Sequence, residues 1–232
     1  MIVAIHQPNY IPWLGYFYKM ANCDLFVFLD DALHSKSSFT NRKEIKTREG
    51  TKLLTVPLSI KEVKINELTI ANKEKWQLKH WNIIENAYKP APYWSEYSVH
   101  FKDIYKEMSW SFLSKLNISL ILLIKDILGI RTEVVTSSEV NIGSQKGSQR
   151  NLSICKQLGA SVYLSGEGAR SYNDEEQFVR EGIKLIYTDF QHPVYHQLWG
   201  EFITNMSIID LLFNEGEKSL AILTGQGLLD SP

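Results

Sequence analysis

Short apolar runs and one helical pattern alternate at the start of the chain. Residues 1–5 and 25–29 are near-continuous apolar runs of strand length, typical of strands buried on both faces of a parallel sheet. Between them, Trp13, Phe17 and Met20 recur at helical spacing. The order of strand, helix and strand therefore predicts a βαβ-like layer.

The middle of the chain departs from this alternation. β-Branched residues cluster between turn signals from 38 to 70, which predicts a strand-rich insertion with strands at 38–47, 52–58 and 63–70. Residues 74–129 then carry apolar and aromatic side chains at helical spacing and predict a helical segment. Aromatic residues in such a pattern are typical of a core or of a dimer contact, so a homo-oligomer is compatible with this segment.

Alternation of strands and helices resumes after the helical segment. The apolar pattern predicts strands at 132–135, 162–164 and 184–188, and helices at 148–158, 174–181 and 208–213. The last dozen residues predict a loose tail. The whole pattern predicts an α/β fold in a single domain over residues 1–232, with a mostly parallel open sheet, an inserted strand-rich segment and a helical segment.

Composition and charge narrow the class of protein. Hydrophobic residues make up 44% of the chain and aromatic residues 12%, which is ample for a buried core and argues against disorder. Lys and Arg number 25 against 26 Asp and Glu, so the formal net charge is −1. This balance argues against a nucleic-acid-binding protein that depends on many phosphate contacts.

Cysteine usage and the apolar runs bear on the compartment. Cys23 and Cys155 lie in no Cys/His pattern, so they predict neither a disulfide framework nor a thiolate zinc site, and they suit a reducing cytoplasm. The apolar stretch 118–124 is far shorter than the roughly 20 residues of a membrane span, and residues 1–8 lack the features of a secretory signal. We expect a soluble, cytoplasmic protein.

Four segments that follow predicted strands or lie close behind them carry candidate chemistry, because ligands of open α/β sheets bind beyond the carboxyl ends of the strands. The first begins with His6, which is suited to act as a general base or to bind phosphate. Its neighbours are expected to contact substrate: Gln7, Asn9, Tyr10, Trp13 and Tyr16. The alternative is that His6 bonds a loop carbonyl and that the aromatic residues only pack.

The other three segments add acidic, basic and small residues. Asp30 ends the second predicted strand, where a carboxylate can hold Mg²⁺ or accept a proton. We expect further substrate contacts from Asn41, Arg42, Ser165, Gly166, Arg170, His192 and Tyr195. Each of these segments is also compatible with a solvated or tight turn without a ligand.

The signatures of common cofactors are missing from the sequence. It contains no P-loop, and Ser171 replaces the third glycine of a dinucleotide fingerprint. Pro193 disrupts the helical spacing that His192 and His196 would need to bind zinc together, so we predict no metal ligands of that kind. No G-x-S-x-G elbow is present either. The cofactor stays open, with Mg²⁺ as one option and no support for zinc, NAD or a P-loop nucleotide.

Several ordered motifs resemble those of the WbqC-like family, and the likeness spans nearly the whole chain. The motifs are HQPNYIPWLGYF at residues 6–17, FTNR at 39–42, LTVP at 54–57, LGA at 158–160 with YLSG at 163–166, and HPVY at 192–195 leading to DLLFN at 210–214. The resemblance implies a bacterial protein encoded among genes for lipopolysaccharide O-antigen and related surface glycans. It implies a pathway without defining a reaction.

Three functional hypotheses follow from the residues and this resemblance. The first is a transferase that moves an acyl or aminoacyl group to the amine of a nucleotide-linked amino sugar, with His6 as the base and Asn41 and Arg42 on a phosphate. The second is a nucleotidylyltransferase-like enzyme in which Asp30 positions magnesium. The third is a non-catalytic protein that binds a sugar nucleotide. All three require the loops that carry imidazole, guanidinium and glycines to meet around a phosphorylated small molecule.

Overall fold

The computed structural model describes residues 1–35, 39–59, 63–72, 75–140, 142–143 and 145–225. Residues 38 and 74, where the strand-rich insertion and the helical segment are predicted to begin, lie outside the described residues. Residues 226–232 of the predicted tail lie outside them as well.

A five-stranded parallel sheet forms the centre of the fold. Its strands are β1 (Ile2–His6), β2 (Leu25–Phe28), β5 (Glu133–Thr136), β6 (Val162–Ser165) and β7 (Lys184–Tyr187). They lie in the order β5-β2-β1-β6-β7, and each neighbouring pair is parallel. A separate antiparallel hairpin joins β3 (Arg42–Thr47) to β4 (Gly50–Thr55). The predicted α/β class with a mostly parallel open sheet is confirmed.

Helices cover both faces of the parallel sheet. They are α1 (Leu14–Ala21), α2 (Trp76–Tyr88), α3 (Trp94–Lys102), α4 (Leu113–Ile127), α5 (Gly147–Gln157), α6 (Glu175–Arg180), α7 (Ile208–Glu215) and α8 (Ser219–Thr224). Apolar residues of α5 and α6 pack on one face of the sheet, and those of α1, α4 and α7 pack on the other together with the hairpin. This is the arrangement of a doubly wound fold.

The predicted third strand of the insertion, 63–70, is wrong. The segment holds a short 3-10 turn, Ile65–Glu67, and only isolated bridges to Leu33, Leu58 and Phe112. Its backbone groups bond to three separate parts of the chain instead of to one neighbouring strand. Alternation of β-branched residues therefore marked burial here and not a ladder of paired strands.

The predicted loose tail is also partly wrong. Residues 221–224 belong to α8, whose Leu223 is buried and which packs near α1. The sequence prediction gave too much weight to the glycines that follow this helix. Within the described residues, no helix is both long enough and apolar enough to cross a bilayer.

The strand order fixes where a ligand site is expected. From β1 the chain continues to its neighbour β2 on one side, and from β6 it continues to β7 on the other side. The order therefore reverses between β1 and β6, and open α/β sheets bind ligands above the carboxyl ends of the strands at such a point. His6 ends β1 and Ser165 ends β6.

Candidate functional site

Two predicted segments approach each other at the carboxyl-terminal edge of the sheet. The backbone of Tyr10, in the loop after β1, donates to the carbonyl of Phe39 at 3.3 Å. The Asn117 side chain of α4 donates to the carbonyls of Pro8 and Thr40 at 2.8 and 2.7 Å. The loop after β1 therefore lies directly against the segment that leads into Asn41 and Arg42.

His6 stands at this edge with an enclosed nitrogen that lacks a partner. Its ring stacks on Tyr16 with the centroids 4.7 Å apart. Within the described residues, Nδ1 of His6 has no hydrogen-bond partner, although the side chain as a whole is partly exposed. Burial, and then the nearby Lys19, lowers the pKa of His6 well below its usual 6.5. The imidazole is therefore neutral at pH 7.

Ser165 lies on the neighbouring strand but faces the other side of the sheet. Ala4 of β1 pairs with Leu164 of β6, and both pack on the α1 face, as does His6 through Tyr16. Side chains alternate along a strand, so Ser165 points to the α6 face. There its hydroxyl accepts a hydrogen bond from Asn173 at 3.1 Å. His6 and Ser165 can share a ligand only above the edge.

Two of the predicted aromatic contacts are core residues. Tyr10 is fully buried, and its hydroxyl bonds to Nδ1 of His80 at 2.8 Å and to the hydroxyl of Tyr105 at 2.6 Å. Tyr16 is also fully buried beneath the ring of His6. Neither ring has a face open to solvent, so both support the loop from inside.

Trp13 is partly exposed and reaches across to the segment after β7. Its ring meets Phe190 edge-on at 5.3 Å, and Phe190 in turn meets His192 at 5.9 Å. The indole folds back over Gly15, where an added Cβ would lie 2.4 Å from two of its ring carbons. Gly15 is therefore required so that Trp13 can lie against α1 and close one side of the site.

Both nitrogens of His192 are engaged. Nδ1 donates to the carbonyl of Pro193 at 2.9 Å, and Nε2 accepts the backbone N–H of Asn205 at 3.1 Å. The same Asn205 offers its carbonyl to the Nζ of Lys43 at 2.6 Å. His192 therefore helps to hold the loop that places Lys43, while Trp13 and Phe190 lie beside it.

Most of the acceptor capacity of Asp30 is used by neighbouring protein groups. Its two oxygens accept from the Ser137 hydroxyl at 3.1 Å, from the backbone and hydroxyl of Ser138 at 3.0 and 2.8 Å, and from Asn66 at 3.4 Å. A carboxylate offers about four acceptor sites. These contacts favour a role in joining the ends of β2 and β5. Next to it, Asp31 accepts from Ser137 and pairs with Arg150 of α5.

The remaining predicted residues of the site are spread along the edge. Gln7 is partly exposed and Asn9 is buried. Asn41 donates from Nδ2 to the carbonyl of Val56 at 3.0 Å, which braces the hairpin, and Arg42 is partly exposed at the start of β3.

The glycine-containing turn after β6 is open around Gly166 but its arginine is engaged. An added Cβ at Gly166 would meet nothing within 4 Å. Arg170 forms a two-pronged contact with Glu167 at 2.6 and 3.0 Å and lies 3.9 Å over the ring of Tyr187. Arg170 therefore has local partners that a ligand would need to displace.

Tyr195 belongs to an interior network. Its hydroxyl donates to Oδ2 of Asp210 at 2.8 Å, and the Gln197 amide donates to the same oxygen at 2.8 Å. The carbonyl oxygen of Gln197 accepts from Nζ of Lys46 at 3.1 Å. Burial raises the pKa of Asp210 above its usual 3.8. Tyr195 holds the 190–206 segment onto α7 and does not reach the edge.

Sequence reasoning missed three buried lysines near the site: Lys19, Lys43 and Lys46. Their exposed fractions are 3%, 7% and 0%. Burial lowers the pKa of Lys19 to about 7 and that of Lys43 to about 8. Lys19 lies three residues after Tyr16 on the apolar face of α1, a spacing that already indicated burial. Nothing comparable marked the two lysines of β3.

A shallow hollow of about 630 Å³ lies at the amino-terminal ends of the strands. Its lining includes Cys23, Arg131, Glu133 and Leu220. It is far along the strands from every predicted site residue. Within the part of the chain that is described, no three His, Cys, Asp or Glu side chains are grouped to hold a metal ion.

The strand order and the residues at its carboxyl edge define a doubly wound α/β protein with a candidate small-molecule site. The chain belongs to the WbqC-like protein family, whose family model matches residues 7–222. It is 38% identical over 221 residues to the uncharacterised protein Rv1507c of Mycobacterium tuberculosis, covering 94% of this chain and 95% of that protein. No solved structure matches the chain significantly.

Proposed function

We propose that this protein is a cytoplasmic enzyme of bacterial surface-polysaccharide biosynthesis of the O-antigen type. It transfers an acyl or aminoacyl group to the amine of a nucleotide-linked amino sugar. One observation carries the assignment of the site: His6, at the reversal point of the strand order, keeps an enclosed Nδ1 without a protein partner. Such a group costs roughly 1–3 kcal/mol when it stays unpaired, which favours a site that a ligand completes.

His6 acts as the general base in this reaction. The amine nitrogen of the sugar attacks the carbonyl carbon of an activated acyl ester or thioester and passes a proton to the neutral imidazole. The bond from the carbonyl carbon to the donor's carrier then breaks, and the carrier leaves with the electron pair and takes the proton back. A base of this kind contributes roughly 10²–10⁴ in rate.

The other predicted contacts surround this proton transfer. Trp13 offers a partly exposed ring for the base or the sugar, and Tyr10 and Tyr16 support it from the core. Arg42 and Asn41 lie across from the loop after β1, where the phosphates of the ligand are expected. Gln7, Ser165 and Gly166 supply polar contacts along the edge.

Nucleotidyl transfer is the less favoured alternative. It would need Asp30 to bind Mg²⁺, but the oxygens of Asp30 already accept from Ser138 and Asn66 and share the Ser137 hydroxyl with Asp31. Release of pyrophosphate from a nucleoside triphosphate with Mg²⁺ would support this alternative. Binding of a sugar nucleotide with no product under any condition would support a non-catalytic protein. A homo-oligomer is a separate prediction, which light scattering of the purified protein tests.

The test uses the matched pair His6→Gln and His100→Gln, since His100 is an exposed histidine on α3. Nucleotide-linked amino sugars are incubated with acyl thioesters and aminoacyl esters, and mass spectrometry follows the acylated sugar nucleotide. We expect His6→Gln to lose about 10²–10⁴ in turnover with the fold retained, and His100→Gln to behave as wild type. Full turnover in His6→Gln would remove His6 from the mechanism.

A further inference from the structure

Lys43 is a nearly buried cation that no carboxylate neutralises. The side chain is 7% exposed, and its Nζ donates to the carbonyl of Asn205 at 2.6 Å. Among the described residues, no Asp or Glu oxygen lies within 4.0 Å of this Nζ. Glu44, the nearest acid along β3, is exposed. A buried ion without a counter-charge is costly, so proteins normally pair it or use it.

The ammonium group retains donor capacity. A lysine ammonium has three N–H donors, and the Asn205 carbonyl uses one of them. Nζ also lies 5.5 Å from the ring centre of Phe39, a side chain that is 64% exposed. The remaining donors are therefore placed beside a segment that is open to solvent.

The surroundings of Lys43 belong to the carboxyl edge. Asn205, its hydrogen-bond partner, is bound on its other side by His192, which leads through Phe190 to Trp13. The backbone of Phe39 bonds to the loop after β1. Lys43 therefore lies beside the segment that contacts the loop after β1.

Lys19 shows that burial of a lysine is not by itself evidence for a ligand site. It is also buried without a carboxylate partner among the described residues, and it donates to the carbonyl of Ile5 at 2.9 Å. Its Nζ lies against the ring of Phe26 inside the core. The ring beside Lys19 is therefore fully buried, whereas the ring beside Lys43 is exposed.

We propose that Lys43 is the anchor for a phosphoryl group, with its two remaining N–H donors on the phosphate oxygens of a nucleotide-linked ligand. A lysine acts at phosphate as a compact charge, and charge-assisted hydrogen bonds of this kind are among the strong ones. The choice of a nucleotide-linked ligand rests on the proposed function, whereas the phosphoryl site itself rests only on the geometry around Lys43.

The test measures binding of inorganic pyrophosphate, UDP and uridine by calorimetry at low salt. The variants are Lys43→Met, Lys43→Arg and the control Lys52→Met, which removes an exposed lysine from the neighbouring strand β4. We expect the Kd of pyrophosphate and UDP to rise about 10- to 100-fold in Lys43→Met and to recover in part in Lys43→Arg. Lys52→Met is expected to bind as wild type. Circular dichroism establishes that each variant is folded.

Two results would overturn the phosphoryl site: equal binding of pyrophosphate by Lys43→Met and wild type, or no binding of pyrophosphate and UDP by the wild type at millimolar concentration. If Lys43→Met loses pyrophosphate while no acyl transfer is found with any donor, the phosphoryl site stands and the transferase proposal fails. The two proposals therefore fail by different measurements.

Discussion

Strand β3 carries two buried lysines three residues apart. Lys46 lies in the interior region, which we define by Gln197 and Asp210, and Lys43 lies in the edge region, which we define by Asn205, Phe39 and the loop after β1. Lys46 is fully enclosed, and it donates to Gln197 and to the carbonyl of Glu201, and Gln197 donates onward to Asp210. A carboxylate therefore shares its surroundings. Among the described residues neither lysine has a carboxylate within ion-pair distance, but Lys43 donates to the carbonyl of Asn205 and has no side chain that links it to an acid.

The difference separates a structural charge from one held ready for a ligand. In the interior region the protein itself links the cation to an acid, since Gln197 accepts from Lys46 and donates to Asp210. In the edge region it supplies a cation, Lys43, and an unpartnered Nδ1 on His6. A buried cation without an acid and an unpartnered imidazole nitrogen are both groups that a polar, negatively charged ligand would satisfy.

The largest expected effect comes from removal of the interior lysine, Lys46. Lys46→Met would leave the side-chain oxygen of Gln197 and the carbonyl of Glu201 enclosed without their donor, and we expect the free energy of unfolding to fall by about 1–3 kcal/mol for each of these acceptors. Lys43→Met leaves no buried charge behind, so we expect no loss at pH 7. Urea denaturation of the two variants beside wild type measures both values. Equal losses of unfolding free energy in the two variants would show that Lys46 contributes no more to stability than Lys43 does.

The second expected effect is that Lys43 makes the free energy of unfolding depend on pH. Burial lowers its pKa from 10.5 to about 8 in the folded protein. Between these values the unfolded chain binds more protons than the folded one, so stability rises with pH. The difference in unfolding free energy between wild type and Lys43→Met should therefore shift in favour of wild type from pH 8 to pH 10.5. Its full size is on the order of 3 kcal/mol at 1.36 kcal/mol per pKa unit.

Urea titrations at pH 7, 8, 9 and 10 measure this change, with Lys52→Met as the control for the general effect of alkali. Lys52 is exposed on β4, so its removal should leave the slope of wild type unchanged. The neighbours of Lys43 that carry or gain charge are Glu44 and His192. If the free energies of unfolding of Lys43→Met and wild type changed with pH in parallel, the amine of Lys43 would not be desolvated in the folded protein.

The sequence predicted the elements of the sheet better than the partners at its edge. Continuous apolar runs placed β1, β2 and β6 because strands buried on both faces have little other composition. The position of Asp30 at the end of β2 was also predicted. Its bonds to Ser137 and Ser138 join residues more than 100 positions apart, which no local pattern contains.

The burial of the two lysines of β3 is another feature that the sequence could not predict. The run Arg42–Thr47 contains four charged residues and one apolar residue, Ile45, so its lysines would be expected in solvent. They are buried because the 190–206 segment packs over the strand, and Lys43 meets Asn205 across 162 positions. Burial of this kind is a property of the tertiary fold and not of the strand.

The smallest expected effect concerns the contact between the rings of Trp13 and Phe190. In Gly15→Ala the new Cβ would lie 2.4 Å from two ring carbons of Trp13, so the indole must move away from α1 and from Phe190. Displacement of a packed ring costs roughly 1–3 kcal/mol, and the better helix propensity of alanine returns at most about 1 kcal/mol. A net loss of about 1–2 kcal/mol should appear in urea denaturation, with a changed near-ultraviolet circular dichroism spectrum. Gly166→Ala, whose Cβ meets nothing within 4 Å, should change neither, and an unaltered spectrum in Gly15→Ala would mean that Trp13 does not rest on this helix.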